Sequence, residues 1–196
     1  MEPARTQSLG GAKKNVNLPY KERMRAFPFA LLLLAGCAPA PFAAMTTGEQ
    51  DKAPAGLTTT RPKRDDYVRL TDAEWKKKLT PDQYKILRAQ GTEAAFCGVF
   101  FDNHKTGVYK CAGCDLPLFK SDAKFDSGTG WPSFFQPVTK DAVWAKKDTA
   151  YGMVRWEVLC ARCDGHQGHV FDDGPADKGG LRYCINSESL TFEEAK

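Results

Sequence analysis

The apolar positions of this chain change rhythm along its length. They run almost unbroken over residues 26–35, recur at helical spacing between Tyr67 and Gly91, and then fall into short or alternating runs separated by Gly, Asp, Asn and Pro. Thr71 followed three residues later by Glu74 is a capping-box start, so a short helix is predicted through Leu79. Thr80 and Pro81 open a second helix, with Tyr84, Ile86 and Leu87 on its apolar side and Gly91 at its end. Beyond it the pattern predicts strands over 98–101, 107–111, 117–119, 142–146, 152–160, 169–172 and 181–186. No helical period recurs that would support a parallel α/β sheet. The expected fold is mainly β: two antiparallel sheets in a rolled body, with short N-terminal helices.

The first apolar run reads as an address. Lys21, Arg23 and Arg25 precede it, and about ten residues are too few to span a bilayer. It ends in Leu34-Ala35-Gly36-Cys37, which resembles the lipobox of bacterial lipoproteins, whose cysteine is acylated. Phe42-Ala43-Ala44 offers ordinary signal cleavage as an alternative, and Met24 could serve as the start of such a signal. Residues 37–64, rich in Ala, Pro, Thr and Gly, lack the large apolar side chains a core needs. The organisation expected is an export signal over 1–36, a flexible linker over 37–64 and one folded body over 65–196. The location expected is the bacterial cell envelope, lipid-anchored through Cys37 and facing the periplasm, or else soluble and secreted or periplasmic.

Charge narrows the function. Residues 1–36 hold six Lys/Arg against two Asp/Glu, so the tail accounts for the whole formal charge of +4 and the body is neutral. A neutral body lacks the electrostatic footprint of a nucleic-acid binder.

With Cys37 set aside, six cysteines sort by spacing. Cys111-Ala-Gly-Cys114 and Cys160-Ala-Arg-Cys163, with 45 residues between them, let two turns present four thiolates to one tetrahedral zinc. Such a closed set has no open coordination position, so the metal would be structural. Disulfides or redox-active CxxC pairs are the alternative in an oxidising compartment. Cys97 and Cys184 remain. Arg182 and Asn186 share a face with Cys184 if 181–186 is a strand, and a guanidinium beside a thiol favours thiolate; a buried structural cysteine in an edge strand is the plain alternative. Cys97, between Phe96 and Val99, reads equally well as core. His166 and His169 follow the second pair directly, where a metal-anchored loop would hold two imidazoles suited to proton transfer; a second metal site or a solvent-facing turn is the alternative. His104 stands alone beside Asp102 and reads as a loop residue.

Three further stretches complete the pattern: residues 127–134 (SGTGWPSF), 165–171 (GHQGHVF) and 182–187 (RYCINS). Together with the two CxxC pairs they closely resemble the B-type methionine sulfoxide reductases, which act on the R epimer of peptide-bound methionine sulfoxide. The likeness runs from about Tyr67 to the C-terminus. It implies that Cys184 is the nucleophile, left as a sulfenic acid after methionine departs. It further implies that His166 and His169 bind the sulfoxide oxygen and supply its proton, with Asn186 in the same constellation. Trp131 would form the wall for the substrate methyl, and Arg182 and Asp173 would order the site. Thr129 stands where many members carry the recycling cysteine. Some relatives place that cysteine in a segment like 92–98, so Cys97 would form a disulfide with Cys184 that a thioredoxin-like donor reopens. The resemblance thus implies a thioredoxin-dependent oxidoreductase acting on oxidised proteins or peptides; the export signal places that action outside the cytoplasm, and a monomer is expected. A zinc-ribbon adaptor and an envelope thiol–disulfide oxidoreductase are the rival readings of the same cysteines.

Overall fold

A computed structural model describes residues 52–196. The export signal, Cys37 and the first part of the linker, to residue 51, lie outside the described residues. Both helices begin where the caps require. In α1 (Asp72–Lys78) the Thr71 hydroxyl accepts from the Glu74 amide and the Glu74 carboxylate accepts from the Thr71 amide at 2.7 Å. In α2 (Pro81–Leu87) Thr80 and Gln83 repeat the exchange, with Pro81 at the first helical position. The reciprocal bonds satisfy amide donors that a helix start leaves orphaned. Trp75, Ile86 and Leu87 are the buried side chains of the pair.

Nine strands follow: β1 (Gly107–Cys111), β2 (Pro117–Lys120), β3 (Lys124–Phe125), β4 (Ser133–Phe134), β5 (Val143–Asp148), β6 (Arg155–Cys160), β7 (His166–Phe171), β8 (Arg182–Ile185) and β9 (Leu190–Glu194). They form two antiparallel sheets, one ordered β2-β1-β9 and the other β3-β4-β8-β7-β6-β5. The mainly β fold read from the sequence is therefore the fold observed. The aromatic centre of the core joins the sheets: Phe119 of β2 stacks on Phe134 of β4 at 4.4 Å between ring centroids, and Tyr109 of β1 meets Phe134 edge-on at 5.1 Å. All three are fully buried, and such pairs add to the burial of their large apolar area.

Three expectations change. Residues 98–101 are turn, not strand, because Phe96 takes a left-handed backbone (φ 64°) and Val99 stands 73% exposed, leaving no alternating face to bury. β8 lies between β4 and β7, so Cys184 is not on a sheet edge. The end of the stretch read as linker packs on the body. The Ala145 amide donates to the Thr58 carbonyl at 2.7 Å, Leu57 lies against the core, and Arg61 pairs with Asp164 at 2.7 Å. Among the described residues no helix is long and apolar enough to cross a membrane.

Candidate active site

The register of the larger sheet lines up one row of residues across adjacent strands. Glu157 of β6 pairs with His169 of β7, His169 with Cys184 of β8, and Cys184 with Ser133 of β4. Directly paired residues of neighbouring strands project on the same face, so imidazole and thiol are neighbours by ladder geometry alone. His166 would face the other way in a regular strand, being an odd number of positions from His169. A β-bulge corrects this: Val158 and Leu159 are adjacent on β6 but pair with Gly168 and His166, leaving Gln167 as the extra residue. The two histidine rings consequently meet at 5.4 Å. Gly168 makes the bulge possible, since a Cβ there would lie 2.1 Å from the Cys184 carbonyl oxygen, at a backbone φ of 153°.

Each imidazole is backed by a carboxylate that the sequence did not single out. Glu157 Oε1 lies 2.9 Å from His166 Nδ1, and Asp148 Oδ2 lies 2.9 Å from His169 Nε2. Burial opposes ionisation of Glu157, but the bonds from His166 and Gln90 win and hold its carboxyl below the ordinary range. Burial likewise opposes ionisation of Asp148; the Ala150 amide, His169 and Arg155 overcome it and hold the carboxyl at about 2. Ionised Glu157 fixes the proton of His166 on Nδ1, which leaves Nε2 as a buried nitrogen with no protein partner. His169 is lowered by burial despite Asp148.

Cys184 is half-buried, and desolvation raises its thiol above the ordinary value. Arg182 and the Thr129 hydroxyl pull the other way without prevailing. The sequence expectation for Arg182 thus has the right sign but loses to burial. The guanidinium itself is held in a two-pronged pair with Asp173, at 2.8 Å for each prong, and lies over the Phe171 ring at 4.5 Å. Thr129 belongs to a hydroxyl string, 2.8 Å from Ser127, which lies 2.8 Å from buried Ser133.

Trp131 and Asn186 are placed by contacts remote in sequence. The Trp131 indole donates to the Glu93 carbonyl at 3.2 Å, while Asn186 donates to the Gln167 carbonyl at 3.0 Å and accepts from the Glu93 amide at 3.1 Å. The Asn186 amide is thereby committed to bracing the bulge. Cys97 is exposed in the turn after Glu93, and neither it nor Cys184 is in a disulfide. His104 is exposed and pairs with Asp102, as a loop residue would.

Away from this row, Cys111, Cys114, Cys160 and Cys163 converge with all sulfurs within 4.8 Å of one another. The two CxxC turns are copies: Cys111 and Cys160 end strands, their carbonyls accept from the Asp115 and Asp164 amides at 2.8 and 2.9 Å, and both aspartates are left-handed (φ 60° and 54°). The nearest sulfurs pair across the turns, 3.6 Å for Cys111 with Cys163 and 3.5 Å for Cys114 with Cys160. A tetrahedral ion with bonds of about 2.3 Å requires sulfurs about 3.8 Å apart, so the set fits a metal ion. Gln167 spans the two centres, its side-chain amide 3.6 Å from Cys111 Sγ.

The SelR domain family matches residues 79–194. A peptide methionine sulfoxide reductase MsrB of Thiobacillus denitrificans is 60% identical over 122 residues, which cover 62% of this chain and 92% of that protein. The chain belongs to the methionine-R-sulfoxide reductase B family. Proteins of the same name from Leptospira interrogans and Agrobacterium fabrum are each 55% identical, over 65% and 64% of this chain and 96% and 93% of their own lengths. The matched stretch contains both the row of paired residues around Cys184 and the four-cysteine cluster.

Proposed function

We propose that this chain is a peptide methionine sulfoxide reductase in which Cys184 is the nucleophile. The observation that carries the reading is one face of one sheet presenting a thiol beside two carboxylate-backed imidazoles. The Cys184 thiol gives up its proton as its sulfur bonds to the sulfoxide sulfur; the imidazoles, through the unpaired Nε2 of His166, take up protons from thiol and solvent and pass them to the oxygen, which leaves as water when its bond to the substrate sulfur breaks. A water molecule then attacks the Cys184 sulfur, the sulfur–sulfur bond breaks, methionine leaves as the thioether and Cys184 is left as a sulfenic acid. Trp131, oriented by Glu93, is the wall for the substrate methyl, and Arg182 with Asp173 tunes the thiol. Cys97 then attacks the sulfenic sulfur, releasing water and forming a disulfide that a thioredoxin-like dithiol reduces. The four-cysteine site holds structural zinc, and the exported chain is tethered to the envelope through acylated Cys37.

Peptides carrying separated R and S epimers, with dithiothreitol as reductant, test the reaction. Consumption of the R epimer alone, abolished in Cys184→Ser, is the expected result. No turnover by folded, metal-loaded protein would overturn it in favour of an envelope disulfide oxidoreductase. An intact mass of membrane-extracted protein without the lipid increment on Cys37 would remove the anchor.

A further inference from the structure

Glu93 uses every polar group it has on the site. Its carboxylate accepts from two successive amides, Ser187 at 2.7 Å and Glu188 at 3.0 Å, just beyond Cys184 on the chain. Its own amide donates to the Asn186 side chain at 3.1 Å, and its carbonyl accepts from the Trp131 indole at 3.2 Å. Two amides on one ionised carboxylate make a charge-assisted pair of the stronger kind. Gly98 closes over this carboxylate: a Cβ there would lie 2.5 Å from Glu93 Oε1 and 2.2 Å from the Ser187 hydroxyl. The intervening turn is held far more lightly. Phe96 and Val99 are 60% and 73% exposed, Phe96 has a left-handed backbone, and one main-chain bond, from the Phe96 amide to the Gly130 carbonyl at 2.8 Å, ties its middle to the loop before β4.

We infer that Glu93 is a positioning residue that performs two tasks: it fixes the Trp131 wall for substrate, braced through Asn186, and it tethers the turn carrying Cys97 close to the segment that follows Cys184. The inference rests on the recycling role of Cys97 proposed above. Four residues of chain reach at most about 14 Å, so a Cys97 anchored at Glu93 cannot stray far from the segment that follows Cys184. Short tethers of this kind give effective concentrations on the millimolar scale. The turn is the lightly held part, while the anchor keeps the substrate wall in place. The step it serves balances without an added oxidant. The Cys97 sulfur bonds to the sulfenic sulfur of Cys184, the S–O bond breaks, and the hydroxyl leaves as water with the thiol proton.

The test compares wild type, Glu93→Gln and Glu93→Ala in the full chain, with circular dichroism and metal content confirming the fold. One equivalent of peptide methionine-R-sulfoxide is added without reductant, and methionine release, sulfenic acid captured by a cyclic 1,3-diketone, and the Cys97–Cys184 disulfide are followed separately. For Glu93→Ala the disulfide is expected to form about tenfold more slowly, with captured sulfenic acid rising in step and KM increasing by a similar factor, the scale of one lost charge-assisted hydrogen bond. Glu93→Gln, which keeps one acceptor, should fall between. Wild-type disulfide kinetics in a folded Glu93→Ala would overturn the tether. Failure of the underlying reading looks different: there the disulfide never forms, in wild type or variant, although methionine is released.

Discussion

His169 and Cys184 are direct partners in the β7–β8 ladder, and Glu157 continues the same row on β6. The relationship makes the candidate chemistry a property of strand pairing. Removing the carboxylate behind the neighbouring ring tests it: Glu157→Gln should leave the fold intact and lower the single-turnover rate of methionine release by about tenfold to a hundredfold, the usual span for general acid–base help. The pH profile should change shape as well, since the proton on His166 Nδ1 loses its carboxylate partner.

Arg182 and Asp173 act on the Cys184 thiol with opposite signs. Burial sets the thiol high, Arg182 lowers it, and Asp173 raises it. Alkylation of Cys184 by iodoacetamide, followed against pH, should therefore show a midpoint above that of a free thiol in the wild type. The midpoint should move further up in Arg182→Met and down in Asp173→Asn. A shift in the same direction for both would refute the electrostatic account.

Asp148 contributes stability that depends on acid. Its folded value of about 2 lies below that of a free aspartate, so the contribution is complete above about pH 4 and disappears as pH falls toward 2. Asp148→Asn should cost about 1–2 kcal/mol in urea unfolding at pH 7, with the gap to wild type closing across that window.

Cys97→Ser should release one methionine per chain at the wild-type rate and then stop when a thioredoxin-like donor is the only reductant. Unimpaired turnover with that donor would remove Cys97 from the cycle.

Metal chelation, or Cys114→Ser, should lower the thermal midpoint by more than about 10 °C, as the cluster clips β1 and β6 together. Metal analysis should find one ion per chain.

What could be read from the sequence was what local spacing encodes. The CxxC pairs, the Thr71 capping box, the Thr80 cap with Pro81 and the β1 segment carry their geometry within a few residues, and each stands where it was expected. Glu93 and Asp148 could not be found that way. Their partners, Ser187 and His169, are 94 and 21 positions distant, and a carboxylate has no motif until the strands bring it home. Glu157 is only 9 positions from His166, but the Gln167 bulge is what turns that ring toward it. For Cys184 the neighbouring arginine, which favours thiolate, is visible in sequence, whereas the burial that outweighs it is a tertiary fact.

The Gln167 bulge also decides how portable this chemistry is. Its carbonyl accepts from the Asn186 amide at 2.8 Å, from the Asn186 side chain at 3.0 Å and from Ser189 at 3.4 Å, while its side chain reaches Cys111. Copying thiol and imidazoles onto another sheet would thus reproduce the parts without the alignment. A transplant would have to bring the irregular strand, its glycine and the cysteine cluster as one cassette.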